Sequence, residues 1–296
     1  MLKIIMNIMK GVIVSNGFMS SEKFSQPVDM LCRAADDMGI RMKRISNDML
    51  SVPIGDGDGL TEVVGDADFV IFWDKDVRAA ANLELCGHRL FNPSECIRIC
   101  DDKSLTHLAL CRNSIPSIET ISLPIAFNGY TDLGFVDGLS SRFGYPMVVK
   151  DCFGSFGEQV RKIDDRDSMV RLLSGLYVPR IAQRYVETGA EDIRVEVVGG
   201  DVVASVLRHG PPGDFRSNCT IGGRMEKHEL SDECAELAIR ASEAVGADFC
   251  GVDILFDDGR PLVCEVNSNA HIRNLADCTG HDVSYDILRH IAESLR

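Results

Sequence analysis

Along the first third of the chain, short apolar runs alternate with amphipathic stretches. Val12-Ile13-Val14 predicts a strand, and Val28, Leu31, Cys32, Ala35 and Met38 recur at helical spacing over 27–38, with Gly39 as the stop. A strand over 41–45 follows. The continuous apolar centre of Asp68-Phe69-Val70-Ile71-Phe72-Trp73 then reads as a strand covered on both faces, and 76–85 as a helix. Strand, helix, strand, helix implies a small parallel α/β sheet.

Asn92-Pro93-Ser94 reads as a turn and helix cap before a short helix. Asp101-Asp102-Lys103 leads a second helix to about 112, which Ile115-Pro116 ends. From Phe143 onward strands dominate. The strand 145–150 ends in Lys150 and runs into the glycine loop Cys152-Phe153-Gly154-Ser155-Phe156-Gly157; a helix over 164–173 and a strand over 180–186 follow. A hairpin forms from 193–198 and 202–207 around Gly199-Gly200-Asp201. Residues 232–245 are helical, 249–256 and 261–266 are strands joined through Asp257-Asp258-Gly259-Arg260, and 282–295 is a closing helix. No internal repeat is present.

Composition narrows the function classes. The 296 residues carry 31 basic and 45 acidic side chains, a formal charge of −14, which argues against a nucleic-acid partner because phosphate neutralisation needs clustered Lys and Arg. No apolar stretch reaches the ~20 residues of a membrane span. Eleven cysteines occur without a Cys-x-x-Cys pair, as expected of core thiols in a reducing compartment, and the histidines form no zinc-ligand pairs. Lys3, Asn7 and Lys10 interrupt the first apolar run, so no export signal is read and the cytoplasm is the expected compartment. Met9 is a cleaner start than Met1, so 1–8 reads as a start-site extension.

The most informative residues lie in the last hairpin. A turn centred on Gly259 sets Asp253 opposite Glu265, and period-two alternation sends Asp253, Glu265 and Asn267 to one face, with Val252, Ile254, Cys264 and Val266 on the other. Facing carboxylates call for a cation, and oxygen-only ligands favour Mg2+ or Mn2+. A solvated hairpin face without metal is the alternative. Lys150 at a strand end before Gly154-Ser155-Phe156-Gly157 suits phosphate oxygens, through close backbone amides and an ammonium, or else forms an ordinary hairpin turn. Neither a Rossmann nor a P-loop glycine pattern occurs there. Arg208, Arg216 and Asn218 supply guanidinium forks and an amide for phosphate or carboxylate, or a salt-bridged surface loop.

In order along the chain, Lys150 with its glycine loop, Gln183-Arg184-Tyr185-Val186, Asp192-Ile193-Arg194, Gly213-Asp214-Phe215-Arg216-Ser217-Asn218, Gly251-Val252-Asp253 and Glu265-Val266-Asn267 resemble the ATP-grasp ligases, specifically the RimK-type amino-acid ligases. The resemblance covers roughly 90–296. It implies an α/β plus α+β protein: a small N-terminal parallel α/β domain over 1–92, then an ATP-grasp fold with subdomains 93–188, the central linker and lid, and 189–296. Lys103 and Lys150 would contact ATP phosphates, with Gly154, Ser155, Phe156 and Gly157 as the lid. Gln183, Arg184, Tyr185 and Val186 would hold the nucleotide, the adenine through backbone atoms, with Asp192 as a further contact. Arg208, Arg216 and Asn218 would surround the γ-phosphate and acyl phosphate, and Asp253, Glu265 and Asn267 would hold Mg2+ or Mn2+, two ions in all.

The implied activity is ATP-dependent joining of a carboxylate substrate to an amino acid or amine through an acyl phosphate. The alternatives are an ATP-grasp carboxylase or phosphoryl transferase, or a nucleotide-binding module without turnover. Dimers or tetramers are common in the family, so a homo-oligomer is among the expected partners. His209 and His271 are candidate proton acceptors, against a structural role for each. Two departures bear on the lid and the acceptor: Gln159 stands where many relatives have Gly, and Ser268-Asn269-Ala270-His271 where the loop often reads Ser-Pro-Gly. Trp73-Asp74-Lys75-Asp76, at a strand end, is weighed as part of the acceptor site against a plain charged loop.

Overall fold

A computed structural model describes residues 8–155, 157–217, 222–269 and 271–296. The first unit is a parallel sheet of β1 (Lys10–Ser15), β2 (Arg41–Ser46), β3 (Phe69–Trp73) and β4 (Leu90–Phe91) in the order β2-β1-β3-β4. Both faces of the central strands β1 and β3 are covered, which is why they are apolar runs, whereas the edge strand β2 is rich in Arg and Lys and largely exposed. Ile13 and Ile71 pack with Val28, Leu31 and Ala34 of α1 (Glu22–Asp37). Val12, Val14, Val70 and Phe72 pack with Leu60 and Val64 of α2 (Gly57–Val64) and Ala80 and Leu83 of α3 (Val77–Leu85). Helix α1 begins five residues before the expected Pro27 and carries that proline inside it. Helix α2 escapes the sequence reading because two glycines weaken its pattern; Asp56 caps it by accepting from Gly59 N.

Helices α4 (Ser94–Asp101) and α5 (Lys103–Arg112) come next; α4 starts after Pro93 without the expected side-chain cap, and α5 follows Asp101-Asp102 as expected, with Asp102 as its cap. The second sheet, β5-β8-β6-β7, is antiparallel and built from β5 (Thr120–Ser122), β6 (Met147–Asp151), β7 (Val160–Ile163) and β8 (Arg180–Arg184). One face, with Met147, Val149 and Ala182, packs on α6 (Phe135–Phe143) and α7 (Arg166–Leu173); the other carries Val148, Lys150 and Gln183. The third sheet, β11-β10-β9-β12-β13, comprises β9 (Glu191–Val198), β10 (Asp201–His209), β11 (Arg224–Lys227), β12 (Phe249–Asp257) and β13 (Arg260–Asn267). Ile193, Val195, Val252, Ile254, Val263 and Val266 on its covered face meet Leu237 and Ala241 of α8 (Asp232–Val245) and also Cys96, Cys100 and Leu110 from α4 and α5.

The chain then returns to the first unit. Helix α9 (Ile272–Thr279) lies by β10 and β11, and Ile287, Leu288 and Ile291 of α10 (Ser284–Ser294) share a core with α1. Asn92, read from sequence as a turn residue, is fully buried. Its amide donates to the carbonyls of Phe249 (2.9 Å) and Ser268 (3.0 Å) and accepts from the amides of Asp248 (2.7 Å) and Phe249 (3.2 Å). One side chain thus pins the first unit to the floor of the third.

The β12–β13 hairpin sets Asp253 opposite Glu265 as expected, by a different route. The turn is two residues, Asp258 and Gly259, both at positive φ (48° and 79°), and Asp257 faces Arg260. The register shifts between Asp253 and Ile254, so Cys264 has no cross-strand partner and acts as a bulge. That corrects the expected alternation: Cys264 leaves the apolar face and borders the polar one, its Sγ 3.4 Å from Lys150 Nζ.

Candidate active site

On β9 the polar residues Asp192, Arg194 and Glu196 alternate with Ile193, Val195 and Val197, so charge takes one face and the core the other. Across the strands, Arg194 faces Asp253 and Asp192 faces Arg208. Arg194 grips Asp253 with two nitrogens, Nη2 at 2.9 Å from Oδ2 and Nε bonding Oδ1. Arg208 forks onto Asp192 at 2.6 and 2.5 Å and reaches Asp253 Oδ1 at 2.9 Å. Burial alone would raise the Asp253 carboxyl, but Arg194 and Arg208 hold it down at about 2. Arg208 is likewise held well above an ordinary arginine: burial opposes its charge and Asp192 and Asp253 outweigh that.

Two lysines face this floor. Lys103, the first residue of α5, lies 3.3 Å from Glu265 Oε1, and its Nζ donates to the Gly154 carbonyl at 3.2 Å. Burial works against the Lys150 ammonium, yet Cys264, Glu265 and Asp253 together raise it above an ordinary lysine. Glu265 is lowered because Lys103 and Lys150 overcome its desolvation. Gln183 is buried, with Nε2 2.8 Å from both His107 Nε2 and Thr120 Oγ1; His107, pushed down to about 4 by desolvation and then by Lys150, stays neutral at pH 7. Arg184 bridges the second and third sheets through Asp257 (2.6 Å). Tyr185 lies under Lys162 Nζ (4.2 Å) and beside Phe215. Arg216 bonds Asp214 and donates to the Gly157 carbonyl at 2.6 Å, so it holds the glycine loop rather than standing free.

Together these walls enclose a cleft of about 1390 Å³, closed at the far side by Asn16, Trp73 and Asp74 of the first unit and by Asn269 and His271. Every expected site residue that is described borders it, from Lys103 and Lys150 to Asp253, Glu265 and Asn267; Phe156 and Asn218 lie outside the described residues. His209 does not border it, and its Nδ1 lies 2.8 Å from Glu191, which removes it as a proton acceptor. Trp73 and Asp74 do border it, so the strand-end loop is part of the cleft. Sequence reasoning gave no role to Arg194 or Glu196, although charged residues at every second position of an apolar strand were the signal.

Three oxygen-bearing side chains fit a hard divalent cation. Among the described residues no three acidic, histidine or cysteine groups converge as a metal site, so the candidate set is Glu265, the Asn267 amide and Asp253. Glu265 is about a quarter exposed and open to an ion, whereas Asp253 has both oxygens engaged by guanidinium groups.

Cationic side chains facing paired acids between two antiparallel sheets mark a class, and the fold agrees: this is an ATP-grasp ligase architecture. D-alanine–D-alanine ligase from Bacillus anthracis, solved with ATP, matches it with a TM-score of 0.72 over 97% of both chains at 20% identity. A family model described as the RimK-like ATP-grasp domain matches residues 100–291, and the chain belongs to that family. It is 36% identical over 200 residues to human N-acetylaspartylglutamate synthase A, covering 66% of this chain and 50% of that protein. It is 35% identical over 217 residues to a probable alpha-L-glutamate ligase of Stenotrophomonas maltophilia, covering 72% of each. The chain thus spans half the length of the human relative.

Proposed function

We propose that this chain joins a carboxylate to the amine of an amino acid in an ATP-dependent reaction. The carboxylate takes the γ-phosphoryl group of ATP as its bond to ADP breaks, giving an acyl phosphate; the amine attacks the acyl carbon, the C–N bond forms, the C–O bond to phosphate breaks, the proton lost by the amine passes to the phosphate, and ADP and phosphate leave. The observation that carries the reading is the facing of Lys103 and Lys150 with Glu265 and Asp253 across one cleft. Lys103 and Lys150 bind phosphate oxygens, and Gly154, Ser155 and Gly157 cover them with backbone amides. Gln183, Arg184, Tyr185, Val186 and Asp192 line the nucleotide's path. Arg208 stabilises charge on the transferring group, and Arg216, through Gly157, couples the lid to that end of the cleft. Asn218 is proposed beside them from the sequence alone.

Glu265, Asn267 and Asp253 are the proposed ligands of Mg2+ or Mn2+, two ions, which supply charge neutralisation to the phosphates. The curated relatives' names point to glutamate as the first amine to try. A cytoplasmic location is proposed with it, in keeping with ten free cysteines among the described residues. The three units are proposed to divide near 92 and 188, each holding one sheet, with α4 and α5 lending their apolar side to the third.

The test is ADP release with Mg2+ and ATP across pooled amino acids, short peptides and carboxylate metabolites. Glu265→Gln, which removes charge at the ion with little change of volume, is expected to lose turnover by about 100-fold or more while keeping the fold. Wild-type turnover in that variant would refute the metal assignment, and ADP release indifferent to any amine would favour a carboxylase or phosphoryl transferase.

A further inference from the structure

We propose that Glu196 holds the ammonium of the amine substrate, above Gly251 and opposite the Asn267 amide; the assignment rests on the ligase reading and deepens it. Glu196 is 3% exposed and borders the cleft, yet its Oε1 accepts no hydrogen bond. Its nearest cation, Arg194 Nη1, stands 3.8 Å away, and the other two Arg194 nitrogens are committed to Asp253. A buried carboxylate oxygen with no donor is costly, and such a group calls for a partner that completes it.

Strand register shows what surrounds it. Glu196 faces Gly251 on one side and Ala204 on the other, and Gly251 faces Asn267, so one row across the sheet reads Asn267, Gly251, Glu196, Ala204. Glycine and alanine leave the floor bare beside Glu196. At the far end of the row Asn267 Nδ2 is also buried without an acceptor. An acceptor lacking a donor and a donor lacking an acceptor therefore flank one gap. A group that brings both satisfies it: an ammonium toward Glu196, and an acyl or carboxylate oxygen toward Asn267.

Position supports the same occupant. The next row along the strands holds Arg194, Asp253 and Glu265, two residues or about 7 Å away. An amine at Glu196 thus sits beside a phosphorylated carboxylate held at that row. The row on the other side is closed by Trp73 stacked on Phe249 at 5.7 Å, which limits water at the reacting carbon. Recognition by a carboxylate selects a substrate that arrives as an ammonium, and becomes the nucleophile on giving a proton to an oxygen of the acyl phosphate, over a hydroxyl, a thiol or bicarbonate, so the same residue separates an amide-forming ligase from the other ATP-grasp chemistries.

The test uses the full chain with Mg2+ and ATP, N-acetyl-L-aspartate or the pooled carboxylate metabolites as carboxylate, and each of the common amino acids, glutamate first. The responding amino acid is then titrated against wild type, Glu196→Gln and Glu196→Asp. Expected for Glu196→Gln is a rise of about tenfold or more in KM for the amine, with KM for ATP held within about twofold. Glu196→Asp is expected to recover part of the loss, and the Glu196→Gln melting temperature to be no lower than wild type, since a buried charge whose Oε1 has no hydrogen-bond donor is removed. An amine KM within about twofold of wild type overturns the assignment, as does a parallel rise in KM for ATP, the mark of a residue acting only through Arg194. If Glu196→Gln does not fold, Glu196→Asp carries the same comparison. Wild type without amine-dependent ADP release in any mixture overturns the ligase reading and this assignment with it; amine-dependent release left unchanged by the substitution overturns this assignment alone.

Discussion

Asp253 shows what one residue's surroundings do to its chemistry. Its carboxyl is buried, and Arg194 and Arg208 still hold it at about 2. The unfolded chain, with an ordinary aspartate value near ~4, binds more protons than the folded one between these two values. Stability tied to Asp253 is therefore fully present above about pH 4 and lost as pH falls toward 2, an effect of about 2 kcal/mol. Urea melts between pH 5 and 2 should show the decline in wild type and a flatter profile in Asp253→Asn. That variant should also start about 3 kcal/mol less stable at pH 7, because Arg194 and Arg208 are left facing each other without their shared acid. Equal stability of the two proteins at pH 7 would mean that the guanidinium groups find other partners. Sequence identified Asp253 through spacing and resemblance, but not its pairing with Arg194 of β9 and Arg208 of β10, since these strands and β12 come together only after folding.

At the scale of elements, the N-terminus of α5 carries Lys103, the proposed phosphate-binding lysine. Asp102 caps the helix by accepting from Ser104 N at 2.9 Å and from Ser104 Oγ at 2.6 Å, and the next residue, Lys103, points at Glu265 and the lid. Asp102→Ala should cost about 1 kcal/mol, read as a fall of about 2–4 °C in Tm, and should raise KM for ATP as Lys103 loses its fixed start. A Tm fall without a change in KM would separate the cap from the binding role. This cap was legible because an acid followed by helical spacing is a local signal. The β13 bulge was not. Alternation assumes one residue per step, and only the third sheet's register shows that Cys264 is skipped, which turns its thiol toward Lys150.

For the molecule as a whole, the cleft is a joint property of three sheets. Arg184–Asp257 ties the second to the third, and Asn92 ties the first to β12 and to the loop after β13. A nucleotide gripped between them should stabilise the assembly by about 2.7 kcal/mol at a hundred times its Kd, seen as a rise in Tm with ATP and Mg2+. Lys150→Ala should lose most of that rise, and an undiminished rise would remove Lys150 from the phosphate site. What the sequence determined alone was local and periodic: three of the four parallel strands of the first unit, α8 at its observed limits, the pairing of Asp253 with Glu265, and the ordered motifs that led to the RimK-like ATP-grasp family. Those features depend on neighbours a few residues apart or on one short hairpin. Tertiary structure alone decided that the Glu196 Oε1 lacks a donor, that His209 turns away, that Arg216 bonds the Gly157 carbonyl, and that Asn92 is a tether. Each of these is set by groups brought together from distant parts of the chain, whose burial and partners no period along the sequence encodes.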